Sequence, residues 1–85
     1  MNSTETGRYR FAYAEMFDTE RGFVAVEDLR EGNGNPVELF CRRSAQEEEV
    51  TLFGPLGGTP VDPEAEMIAR KEFLDMQENF LNSRR

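Results

Sequence analysis

Residues 8–29, RYRFAYAEMFDTERGFVAVEDL, decide the fold. Tyr9, Phe11, Tyr13 and Phe17 share one parity, and Arg8, Arg10, Ala12, Ala14 and Met16 share the other. That two-residue period belongs to a strand with an aromatic face. Glu15 interrupts the aromatic row, which marks either the end of the strand or a bulge. Asp18-Thr19-Glu20-Arg21-Gly22 follows as a compact polar turn, with Gly22 available for a positive φ. Beyond it, Phe23 to Leu29 is a second β-favouring run, so the stretch predicts a hairpin with strands at about 8–17 and 22–29.

Further along the chain, REGNGNP at 30–36 crowds two glycines, two asparagines and a proline into one loop. A third strand is expected at 37–43, with Val37, Leu39 and Cys41 facing one way and Glu38, Phe40 and Arg42 the other. Ser44 to Glu48 separates it from a short fourth strand at 49–53. Gly54 to Val61, with three glycines and two prolines, cannot continue a strand and reads as a connector, packed through Leu56 and Val61. Asp62-Pro63-Glu64 is a helix start: an aspartate N-cap, a proline at the first helical position, and acidic groups at the positive end. The helix is expected over 63–82. The fold class is therefore α+β: an antiparallel β-meander of about four strands followed by one C-terminal helix packed on the sheet. Residues 1–7, polar and without period, form a flexible arm, and 8–85 form one domain.

The expected helix has two apolar faces. Ala65, Ile68, Ala69, Phe73, Met76 and Phe80 form the broad sector suited to a sheet. Met67, Leu74 and Leu81 recur every seven residues on the far side, with Arg70 and Gln77 separating the stripes on one flank and Lys71, Asp75 and Glu78 on the other. Three arrangements bury that second stripe: the sheet or connector wraps over it, a partner takes it as a ridge, or two copies pair along it. The sheet is not cleanly one-sided either. Nine of the 85 residues are aromatic, and some of that area is available to an interface, although Tyr9 and Tyr13 are placed at the core edge.

Composition removes whole classes of chemistry. There is no histidine, so Ser-His-Asp and Cys-His catalysis cannot be assembled within one chain. The single cysteine, Cys41, rules out an intrachain disulfide and lies in an apolar strand pattern, as a small buried hydrophobe would. Neither glycine-rich stretch has the spacing of a nucleotide-binding loop. Neither Glu47-Glu48-Glu49 nor the trio Asp62, Glu64 and Glu66 has the spacing of a calcium loop. No enzyme, cofactor or metal is expected. MNSTETGRYR carries no apolar signal segment and no run is long enough to span a membrane, which predicts a cytoplasmic protein without membrane contact.

Seventeen acidic residues against ten basic give a net charge of −7. Such a balance repels a phosphate backbone and favours basic partners, so a protein partner that itself binds nucleic acid is expected, with no direct nucleic-acid binding. The candidate partner-binding residues are Glu27, Asp28, Glu31, Glu47, Glu48, Glu49, Asp75 and Glu78, with Met67, Leu74 and Leu81 of the helix stripe. In size, acidity, lack of catalytic residues and compact α+β pattern the chain resembles the small phage-encoded inhibitors of bacterial defence complexes, the anti-CRISPR proteins among them. That resemblance rests on whole-chain features and implies a stoichiometric inhibitor acting in the cytoplasm of a host cell, with no residue carried over. The alternatives are a homodimeric structural or adaptor module, or a small regulatory subunit, using Met67, Leu74 and Leu81.

Overall fold

The computed structural model describes residues 7–30, 36–54 and 62–83. They form four strands and a helix: β1 (Tyr9–Met16), β2 (Arg21–Asp28), β3 (Val37–Arg42), β4 (Thr51–Phe53) and α1 (Pro63–Ser83). The sheet is antiparallel throughout with strand order β1-β2-β3-β4, the expected meander, and α1 packs on one face of it. The proposed arm (apart from Gly7) and connector (apart from Gly54) lie outside the described residues.

The β1–β2 turn is held by its own aspartate. Asp18 Oδ1 accepts the Glu20 and Arg21 amides at 2.8 and 2.9 Å, and Asp18 Oδ2 accepts Arg21 Nε at 2.8 Å. These donors, the Glu20 amide foremost, hold the Asp18 carboxyl below its ordinary range. Gly22 is not the turn residue it was expected to be. It lies inside β2 without a left-handed φ, and a Cβ there would stand 2.5 Å from the Glu15 carbonyl oxygen and 3.1 Å from Met16 Cα. Glycine is required there for close cross-strand approach.

The parity of β1 reverses midway. Phe11 pairs with Val26 and Tyr13 with Ala25, which leaves Ala12 as an extra residue in a bulge. Before the bulge, Tyr9 and Phe11 point to the helix side. After it Ala14 and Met16 do, and Tyr13 turns to the opposite face, so its expected place beside Tyr9 is corrected by one inserted residue. The core gathers Tyr9, Val24, Val26, Leu39, Cys41 and Val50 from the sheet side and Ala65, Ile68, Ala69 and Phe73 from the helix, with Met76 packed at its margin. Burial pushes the Cys41 thiol up to about 12.

Two polar ties fasten the helix. At its start Asp62 accepts the Tyr9 hydroxyl at 2.6 Å and pairs with Arg8, whose guanidinium lies over the Tyr9 ring at 4.9 Å. Near its end Gln77, only 3% exposed, takes a place in the buried face that the sequence pattern assigned to a boundary between stripes. Its Nε2 donates to the carbonyls of Thr19 and Arg43, both at 2.9 Å, and its Oε1 accepts Arg43 Nη1 at 3.1 Å. The amide is buried because loop carbonyls await it there. No helix among the described residues is long and apolar enough to cross a membrane.

Candidate interaction surfaces

The helix layer carries eight of the chain's seventeen carboxylates. Glu64, Glu66, Glu72, Asp75 and Glu78 lie on α1, and Glu47, Glu48 and Glu49 lie in the adjoining β3–β4 loop. That loop reaches the helix: Glu48, Glu49 and Val50 line a shallow hollow with Arg70 and Leu74. Arg43 Nε also donates to the Glu47 carbonyl at 2.8 Å while its Nη1 reaches Gln77. Only Arg43, Arg70 and Lys71 oppose the eight carboxylates among the described residues of this layer. Arg70 pairs with Glu66 at 3.9 Å and Lys71 with Asp75 at 3.6 Å. Partial burial raises the pKa of Glu72 above the ordinary value for its type, against the opposing pull of Lys71.

The predicted partner residues divide. Glu48, Glu49 and Leu74 come together at the hollow, Glu47 sits next to them in the loop, and Met67, Asp75, Glu78 and Leu81 share the outer side of α1. Met67 and Leu81 are 58% and 42% exposed, whereas Leu74 is half-buried against the core, so the seven-residue stripe is interrupted at its middle. Glu27 belongs elsewhere: it lies on the sheet's far face, bound to Arg10 at 3.0 Å. Asp28 is a largely covered carboxylate held by Arg8 at 3.5 Å and Arg30 at 3.7 Å. Glu31 lies outside the described residues.

Apart from Glu27, the far face of the sheet holds none of the predicted partner-binding residues, and it is aromatic. Tyr13, Phe17 and Phe53 are 46%, 56% and 49% exposed there, around the half-buried Phe23 and Phe40. Phe40 pairs with both Phe23 and Phe53 in register, which forms an aromatic row across β2, β3 and β4. Ring centroids lie 5.9 Å apart for Tyr13–Phe23, 5.5 Å for Phe17–Phe23, 6.3 Å for Phe17–Phe40 and 6.2 Å for Phe23–Phe40. Family models, curated proteins and solved structures offer no match to this chain. The surface is therefore read from its own chemistry.

Around the rings, the register places Arg10, Arg21 and Arg42 with Glu15, Glu27 and Glu38, so the strand charges of this face cancel, with Asp18 of the adjoining turn beside Arg21. Glu38 accepts the Tyr13 hydroxyl at 3.0 Å, a bond that raises the Tyr13 pKa, and Arg21 is held by Asp18. The signal in the sequence was the parity of Phe23 and Phe40, which alternate with the core residues Val24, Leu39 and Cys41. For Tyr13 that signal was hidden by the bulge.

Proposed function

We propose that the chain is a non-enzymatic protein-binding module, a stoichiometric inhibitor whose acidic helix layer occupies a basic, nucleic-acid-binding surface of a larger complex. The observation that carries this reading is the segregation of charge: eight carboxylates against three cations on the helix layer, and equal numbers of each on the strands of the opposite face. A surface of one sign is steered onto a surface of the other and competes there with phosphate. Glu47, Glu48, Glu49, Asp75 and Glu78 supply the negative field, with Met67 and Leu81 giving apolar anchorage beside it. The module acts in the cytoplasm by occupancy, in the manner of the anti-CRISPR class it resembles, and binds no nucleic acid itself. The lack of histidine and the buried, protonated thiol of Cys41 support an inhibitor without turnover.

The test is capture with tagged protein from nuclease-treated host lysate, beside the variant Glu48→Lys/Asp75→Lys/Glu78→Lys, with every captured protein identified. The expected result is a basic nucleic-acid-binding complex released by high salt, displaced by added nucleic acid and not captured by the variant. A partner that resists salt, or that the variant captures equally well, overturns the proposal.

A further inference from the structure

We infer that the aromatic face of the sheet is a self-association surface, on which a second copy of this chain packs sheet to sheet about a two-fold axis running along the strands. This goes beyond the inhibitor reading and uses the opposite side of the molecule. The first argument is charge. Two copies at −7 repel one another over most of their surfaces. The aromatic face, with three arginines and three glutamates on its strands, is largely free of that repulsion, and it gives a basic partner little attraction.

The second argument is self-complementarity, which an isologous interface requires. Most charges of this face are already engaged: Arg10 with Glu27, Arg21 with Asp18, Glu38 with Tyr13. Among the described residues, Glu15 on β1 and Arg42 on β3 make no ion pair, and they flank the aromatic row on opposite sides of β2. A two-fold axis along β2 over Phe23 exchanges β1 with β3. Glu15 of each copy then lies over β3 of the other, offset from Arg42 by two residues, about 7 Å, along the strand and by the sheet spacing of about 10 Å, a gap that the two side chains, both directed into the interface, together span.

Area and ring geometry agree with a reversible dimer. Three half-exposed aromatic side chains, at 150–250 Å² each, present about 300 Å² per copy, to which Phe23, Phe40 and the stems of the flanking arginines add. The rings alone give about 600 Å² over both copies, below the standard interface size, which fits a weak, transient dimer. The same rings do not form a platform for stacking bases. Phe23 meets Tyr13 edge-on at 89° and Phe40 at 61°, and three glutamates stand where phosphates would pass.

Sedimentation of the purified full chain over a broad concentration series tests the inference without any other partner, so its failure is distinguishable from failure of the inhibitor reading. A reversible monomer–dimer equilibrium is expected. Phe17→Ser with Phe53→Ser weakens it about tenfold or more. Glu15→Arg and Arg42→Glu each weaken it about fivefold, and the two together restore it to within about twofold. Circular dichroism of each variant checks that the fold is retained, since all four positions are exposed. A monomer at every concentration overturns the inference. So does a dimer that survives the aromatic variants and is lost in Leu81→Glu, a charge swap that fails to rescue, or a monomer that binds labelled single-stranded oligonucleotide through Phe40.

Discussion

At Gln77 one carboxamide joins the helix to two loops, 58 and 34 residues away in sequence. Gln77→Leu leaves the carbonyls of Thr19 and Arg43 without that donor in a covered position, a loss of about 2–3 kcal/mol, read as a lower urea midpoint at unchanged slope. Tyr9 is the second residue whose chemistry reports on the fold. Burial first, and then its bond to Asp62, push its hydroxyl from 10.0 up to about 12. A folded value above the unfolded one means that the protonated phenol stabilises the native state. That contribution is complete below the ordinary value and is lost as pH rises toward the folded one. Tyr9→Phe is expected to cost about 1–2 kcal/mol at neutral pH and to flatten the decline of melting temperature at alkaline pH.

Among the elements, β1 shows what a period-two pattern can carry and what it cannot. Deleting Ala12 joins Phe11 directly to Tyr13, opposite Val26 and Ala25, so the strand becomes regular with Tyr9 and Phe11 still on the helix side, and a cooperative thermal transition is expected to persist in calorimetry and circular dichroism. Gly22→Ala meets the Glu15 carbonyl and costs about 1–3 kcal/mol by chemical denaturation, although alanine ordinarily suits a strand better than glycine. The meander was legible because each turn carries its own chemistry, and the helix because its start, its composition and its apolar sector agree. The bulge was not legible at its own place: Glu15, where the aromatic row suggested a strand end or a bulge, pairs regularly with Phe23, and the inserted residue is Ala12, because an inserted residue reads as two half-strands of opposite parity. Gln77 left no trace. A glutamine at the edge of an apolar sector reads as surface unless the carbonyls that receive it are already in place.

Over the whole molecule, charge is distributed by layer, and this too was only partly legible. The acidic excess and its positions along the chain could be counted, but pairing depends on the folded register. That register places Glu27 against Arg10 on the far face and Asp28 against Arg8, which also holds Asp62 at the start of the helix. Crowded like charges destabilise the compact state, and a Debye length of about 8 Å at physiological ionic strength is short enough to screen them. Moderate sodium chloride is therefore expected to raise the melting temperature by a few degrees over low-salt buffer, a gain that Glu48→Gln/Glu78→Gln reduces. The position of Gln77 along α1 also divides the helix in time. The hydrogen-bonded amides of 66–77 lie in the part bound to the core and are released only when the sheet lets go, whereas the segment after Gln77, exposed apart from the half-buried Phe80, can unwind by itself. In deuterated water the hydrogen-bonded amides before this clasp exchange at the pace of global unfolding, and those beyond it exchange orders of magnitude sooner, which makes one helix two kinetic bodies.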